Sequence, residues 1–293
     1  MVEICCVGHI TLDKVVTSRS EVHMPGGTSF YFSNAIANME VSYSLVTALG
    51  AEENTIVENL RAKGITVQVL PSAHTVYFEN IYDEDQDKRT QRVLEKADPF
   101  SIKEMSNVDA EIFHLGPLLA DDIPVDLIKY LSEKGTVSLD AQGYLREVRD
   151  THVFATDWSD KKEALKYIDI LKVNDAELFA LTGYKDLRDG AKALAAMGVK
   201  EVIVTLGSKG SFIYAEENFH EIPAYKPNAI IDATGCGDTY MAGYLFKKAK
   251  KAGYIEAGKF GAAMATLKIE SSGPFTGTYA DVIRITGESH LQD

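Results

Sequence analysis

The stretch of this chain whose residue types could do chemistry is Asp232-Ala233-Thr234-Gly235-Cys236-Gly237-Asp238-Thr239-Tyr240-Met241-Ala242-Gly243. Met241, Tyr244 and Leu245 share a helical face, so a helix is expected from Asp238 to Lys251. Gly235 and Gly237 let the backbone turn tightly and let a ligand approach its amides. Those amides would sit at the positive end of the helix, which makes an anion pocket. Asp238 falls in the first helical turn, beside that pocket. A carboxylate there repels a plainly bound phosphate. It makes sense if it takes a proton from an attacking hydroxyl while the amides stabilise charge on a transferring phosphoryl group. The local pattern therefore suggests phosphoryl transfer to an alcohol. A blander alternative stays open here, in which Asp238 only complements the helix dipole and the glycines only turn the chain.

Other chemistries find little support. No GxxxxGK[ST] loop occurs, and the first strand runs into Gly8-His9-Ile10-Thr11-Leu12-Asp13 rather than GxGxxG. Cys5, Cys6 and Cys236 lack metal-type spacing, and no HExxH is present, so neither a zinc site nor a disulfide framework is expected. Lys plus Arg number 30 against 43 Asp plus Glu, a net charge of −13 that disfavours nucleic-acid or membrane-surface partners. No stretch approaches 18 uninterrupted apolar residues and no leader pattern opens the chain, so a cytoplasmic protein is expected.

The elements that must position the loop alternate along the chain. Strands are expected at Val2–Val7, Tyr43–Ala48, Ile112–Leu115, Thr136–Leu139, Ile170–Val173, Glu201–Leu206 and Ser211–Tyr214. Helices are expected at Ser33–Met39, Glu53–Lys63, Pro124–Glu133, Ala176–Thr182, Leu187–Met197, Asp238–Lys251 and Ile255–Ser271. Such alternation implies a mostly parallel sheet covered on both faces. Two segments break it. Thr11–Gly27 is polar, and Thr75–Tyr82 with Arg89–Lys96 reads as a hairpin around Asp83–Lys88. A small β-layer over a site on the body would account for both.

With these residues in view, the chain resembles the PfkB, or ribokinase-like, family of carbohydrate kinases over nearly its whole length. The family's DTxGAGD signature stands here as Asp232 to Asp238. Val7-Gly8 with Asp13 and the Gly26-Gly27 pair match its N-terminal elements. Asn174-Asp175-Ala176-Glu177 matches NxxE, and Val204 to Gly210 matches its nucleotide element. The resemblance implies a three-layer αβα sandwich with a mostly parallel central sheet and a small β-lid. One domain would span 1–293, with lid segments at about 10–27 and 74–97. It implies an ATP-dependent kinase that phosphorylates a hydroxyl of a sugar or cyclitol. Asp238 would be the base and the amides of Gly235, Cys236 and Gly237 the anion hole. Asp13, Gly26 and Gly27 would hold acceptor hydroxyls. Asn174 and Glu177 would organise Mg²⁺ and phosphates, Glu177 through water. Thr205, Gly207 and Gly210 would line the nucleotide site. Asp232 would lie near a monovalent-cation site, implying K⁺ as a further cofactor.

Departures bear on the acceptor. Tyr31 stands where ribokinase places an Asn, and Asn34 is not a substitute for it. Ala233 and Cys236 replace the usual Thr and Ala, and a thiol at a helix N-terminus suggests a lowered pKa and sensitivity to oxidation. Pro25 to Phe32, Phe78 to Asp83, Arg89 to Leu94 and Leu139 to Arg146 resemble a subgroup that includes myo-inositol kinases. A polyol site needs convergent polar groups and apolar walls. Asp13, Asp140, Gln142 and Arg146 would supply the former, and Phe30, Tyr31 and Phe32 the latter. The Asp140–Arg146 loop could equally be a strand end with a structural ion pair. Myo-inositol is slightly favoured over a hexose, 2-keto-3-deoxygluconate or a nucleoside, and a catalytically silent sugar- or nucleotide-binding regulator is the rival of another class. Lid strands in this family often pair between subunits. The expected partner state is therefore a monomer or a lid-mediated homodimer, with the charged tip Asp83–Arg89 opposing pairing.

Overall fold

Along Val2–Val7, Ile4 and Cys6 pack into one apolar cluster while Cys5 and Val7 pack into another. Side chains alternate across a strand, so a strand buried on both sides reads apolar at every position. A computed structural model describes residues 1–17, 20–82 and 89–287. In it Val2–Val7 lies inside a nine-stranded sheet. Across that sheet the strands run Asn218–Ile222, Ser211–Ala215, Glu201–Thr205, Ile170–Asn174, Thr136–Asp140, Ala110–Leu115, Val2–Val7, Tyr43–Leu49 and Thr66–Pro71. All neighbours are parallel except the last two pairings at the Asn218–Ile222 edge.

One face of the sheet carries helices Thr28–Ile36, Asn54–Ala62, Cys236–Ala249, Tyr254–Ile269 and Tyr279–Thr286. The other carries Val125–Ser132, Asp175–Thr182 and Leu187–Ala196. These three layers are the expected αβα sandwich. No helix among the described residues is long and apolar enough to cross a membrane.

A second sheet of six strands stands apart from the first. Its order is Arg146–Arg149, His152–Ala155, Arg89–Glu95, Val76–Tyr82, Thr11–Val16 and Glu21–Gly26. Its centre comes from the two segments that break the strand–helix alternation. Its far edge, 146–155, falls outside both. That hairpin turns through Asp150 and Thr151, both at positive φ, where no Gly or Asn marks the turn. The turn expected at Asp83–Lys88 lies outside the described residues, as does the charged tip it carries.

The first helix differs from its expected place. It starts at Thr28 rather than Ser33 and ends at Ile36. Gly27, at φ 86°, redirects the chain out of strand Glu21–Gly26 straight into the helix. The run Phe30-Tyr31-Phe32 has weak helix propensity, and burial of nearly every residue overrides it.

Candidate active site

Gly235 caps helix Cys236–Ala249 in the left-handed conformation, φ 76°. A Cβ there would lie 2.2 Å from the Tyr31 ring, so a larger residue cannot occupy the turn. No side chain caps this helix, and Gly235 and Gly237 line the cavity at its start. The Cys236 amide, expected in the anion hole, instead donates to the Ala233 carbonyl at 3.2 Å, closing the turn, and Cys236 does not line the cavity. Asp238 stands in the first turn and lines the same cavity, whose volume is about 870 Å³.

Burial, with nearby Asp140 adding to it, raises the Asp238 pKa to about 6 on balance. The Lys172 ammonium, a hydrogen bond donated by the Thr28 hydroxyl, and Arg146 act in the opposite direction. A carboxyl of that pKa is ionised at neutral pH yet basic enough to accept a proton from an alcohol in the transition state.

Much of the rest of the cavity wall belongs to the six-stranded sheet and its neighbours. Asp13 Oδ1 accepts a hydrogen bond from Thr11 Oγ1 at 2.7 Å. Gly26 is the backbone that leaves room for Asp13: a Cβ on it would fall 2.3 Å from Asp13 Oδ2. Gln91 Nε2 donates to Asn80 Oδ1 at 2.9 Å across the two paired strands. Asp13, Asn80, Gln91, Gln142 and Arg146 all line the cavity, between apolar patches from Val15, Met24, Phe78 and Leu118.

Several expected residues prove to have protein partners. Asp140 lines the cavity, but its Oδ2 pairs with Lys172 Nζ at 3.0 Å and its Oδ1 accepts from the Gln142 amide at 3.1 Å. This is the strand-end ion pair weighed beside the acceptor role. Asn174 and Glu177 form a capping box on helix Asp175–Thr182. Asn174 Oδ1 accepts from the Glu177 amide at 2.8 Å, and Glu177 Oε2 accepts from the Asn174 amide at 2.9 Å. Burial raises the Glu177 pKa despite Lys172 nearby. Gly207 and Gly210 bracket the turn between antiparallel strands Glu201–Thr205 and Ser211–Ala215, and Thr205 Oγ1 donates to the Val173 carbonyl at 3.4 Å. None of Asn174, Glu177, Thr205, Gly207 or Gly210 lines the cavity. Phe32 turns into the core and stacks on His114, so of the three aromatic residues expected as walls only Tyr31 faces the cavity.

Asp232 lines the cavity too. Burial raises its pKa, yet hydrogen bonds from Thr234 and the Lys268 ammonium hold it below the usual carboxylate range. The expected activation of Cys236 is overturned. Burial pushes its thiol up to about 11, and Asp232 and Asp238 add to the effect against Lys268. Desolvation of the thiolate outweighs the helix N-terminus.

Three residues at this site were not anticipated. Thr28 holds the carboxyl of Asp238. Lys172 is buried, and its Nζ would lie 3.1 Å from a Cβ on Gly237. Burial works against its charge, but Asp140, Glu177 and Asp238 keep it protonated above the usual lysine range. Lys268 is buried against the Asp232 carbonyl. A lone lysine inside the strand run Ile170-Leu171-Lys172-Val173 is the sequence signal that could have found Lys172.

The model of the pfkB family carbohydrate kinases matches residues 1–279. A cytidine kinase of Thermococcus kodakarensis is 28% identical over 256 residues, covering 84% of this chain and 88% of its own. A solved pyrophosphate-dependent kinase in the ribokinase family, complexed with a pyrophosphate analog and myo-inositol, superposes with a TM-score of 0.87. It is 30% identical and covers 96% of this chain and 100% of its own. Arabidopsis thaliana ribokinase complexed with ribose and ATP has a TM-score of 0.80 at 22% identity, covering 98% and 99%, which shows the shared fold.

Proposed function

The chain belongs to the pfkB family of carbohydrate kinases, and from that premise we propose that it phosphorylates a hydroxyl of a cyclitol, with myo-inositol the favoured acceptor. One observation carries the reading. A single cavity sets Asp238 between uncapped helix amides and a wall of hydrogen-bonding side chains. Asp13, Asn80, Gln91, Gln142 and Arg146 suit a ring bearing hydroxyls on every side better than a flat nucleobase. The similar structure that holds myo-inositol supports the same acceptor class.

In this reading an acceptor hydroxyl lies against Asp238, which takes its proton as the oxygen attacks phosphorus. The amides of Gly235 and Gly237 receive the charge that builds on the phosphoryl oxygens, while the Cys236 amide, held by the Ala233 carbonyl, fixes the turn that carries them. Lys172 holds the balance of charge among Asp140, Glu177 and Asp238, so that Asp238 is ionised before the acceptor arrives. The six-stranded sheet acts as a lid that keeps water from competing as acceptor. Mg²⁺ would be held by the donor phosphates and would neutralise their charge; Glu177, engaged in the capping box, does not line the cavity.

ATP is the expected donor. Pyrophosphate is the second reading, favoured by the similar kinase bound to a pyrophosphate analog. Cytidine is the second acceptor reading, favoured by the archaeal relative. The test is a matrix of initial rates: myo-inositol, ribose, fructose and cytidine, each with ATP or pyrophosphate and Mg²⁺. The proposal expects kcat/KM for myo-inositol to exceed the others at least about tenfold with one donor. A preference for cytidine or a furanose of that size would overturn the acceptor assignment.

A further inference from the structure

Lys268 has no exposed surface, although it sits in the last turn of helix Tyr254–Ile269. A cation buried this deeply requires oxygen partners. Its ammonium donates to the Asp232 carbonyl at 2.9 Å. It lies 3.3 Å from the Ser271 carbonyl and 3.4 Å from Asp232 Oδ2. Three N–H donors thus meet three oxygens. Two backbone carbonyls and a carboxylate are also the kind of oxygen set that replaces the hydration shell of a monovalent cation.

The family resemblance implies K⁺ near Asp232, and the residues present do not fit one. The oxygens that would hold it already surround an ammonium. A second unit charge at about 4 Å would be repelled by several kT in a protein interior.

We infer that the Lys268 ammonium is a built-in monovalent cation for the anion-hole loop, and that the enzyme works without K⁺. The loop's connections agree. The Ile231 and Asp232 amides donate to the Ile269 carbonyl at 2.9 and 3.3 Å, beside Lys268. Asp232 Oδ1 then accepts from the Thr234 amide at 2.9 Å, one residue before Gly235. The Cys236 thiol reaches the Ala265 carbonyl, one turn earlier on the same helix, at 3.8 Å. The tethered charge therefore sits where it orders the 232–234 backbone that leads into Gly235 and Gly237 at the cavity. Unlike a dissolved ion, it is present at any salt concentration. The inference rests on the Gly235–Gly237 turn forming the anion hole.

The test uses the full chain exchanged into tetramethylammonium buffer, then titrated with K⁺. Melting temperature and phosphoryl-transfer rate are followed for the native chain and for Lys268→Ala. The native chain is expected to change less than about twofold in rate and to keep its melting temperature within about one degree. Lys268→Ala is expected to lose at least about tenfold in rate without K⁺. Added K⁺ should restore part of that rate and raise the melting temperature, because an ion that binds only the folded state stabilises it. Tenfold activation of the native chain by K⁺, or a rise of several degrees in its melting temperature, would overturn the inference. So would a Lys268→Ala chain whose rate or stability no monovalent cation moves. If Lys268→Ala does not fold, the native titration decides alone. The melting measurement needs neither donor nor acceptor, so it separates failure of this inference from failure of the kinase reading.

Discussion

Replacing Lys172 or Asp140 should move the pH at which activity appears, in opposite directions. Asp238 must be ionised to take a proton, and its carboxyl titrates at about 6. The acid limb of kcat/KM should therefore bend near pH 6, with roughly a tenth of the plateau left one pH unit below. Lys172 lowers the Asp238 pKa and Asp140 raises it. An opposite charge at this range typically shifts a carboxyl by about 1–3 pH units. Lys172→Met should therefore carry the limb to about pH 7–9. The ionised fraction at pH 7 would fall to between about one half and one hundredth, and raising the pH should recover the loss. Asp140→Asn should move the limb below that of the native chain and leave the plateau at pH 7 untouched by this route. Each single change breaks a buried pair joined at 3.0 Å, which costs about 3–5 kcal/mol of stability. Melting is therefore measured alongside, and the Lys172→Met/Asp140→Asn double variant removes both charges together. The assay is the initial rate against pH with one donor throughout, so that donor ionisation is common to every profile. A Lys172→Met loss of the same size at every pH would refute the electrostatic reasoning. So would two single variants whose limbs coincide with the native one.

Asp238→Asn should abolish turnover yet stabilise the fold at neutral pH. The folded-state pKa stands above the ordinary 3.8, so the stability linked to this group is full below 3.8 and lost as pH rises through about 6. A neutral amide removes that cost, worth at most about 3 kcal/mol and less where cavity water reaches the carboxyl. Urea unfolding at pH 7, set against pH 4, reads it out. Gly235→Ala should cost about 1 kcal/mol for its left-handed backbone and about 1–3 more for collision with Tyr31, and should lower kcat as the loop shifts. Steady-state rates and thermal melts check both effects. Asn80→Leu should raise the acceptor KM by roughly tenfold or more with little change in the donor KM, because it takes a hydrogen-bonding group from the acceptor wall.

The sequence carried the body of the fold because most of its strands are doubly buried and therefore apolar at every position. Two sheet-edge strands escaped it. Thr66–Pro71 and Asn218–Ile222 are partly exposed and read as mixed polar segments. Residues 146–155 escaped for a related reason: the hairpin is short, charged and turned by ordinary residues. At the site, Asp238 and its glycines were legible because the chemistry and the backbone both demand those residue types. Lys172, Thr28 and Lys268 were not, since each acts through a partner far away in sequence. Lys172 meets Asp140, Thr28 meets Asp238, and Lys268 meets Asp232. A local pattern does not encode such pairs. The Asn174–Glu177 motif shows the converse, since its three-residue spacing fits both phosphate chemistry and the capping box that these residues form.

The most direct test of the central claim is a ³¹P NMR time course of myo-inositol with Mg²⁺ and either ATP or pyrophosphate, run with the native chain and with Asp238→Asn. The account predicts a new phosphomonoester resonance from the native chain, dependent on myo-inositol. It predicts at least about a thousandfold slower appearance with Asp238→Asn, in a variant that still binds the acceptor by calorimetry. A native chain that forms no inositol phosphate with either donor, or an Asp238→Asn chain that forms it at a comparable rate, would contradict it.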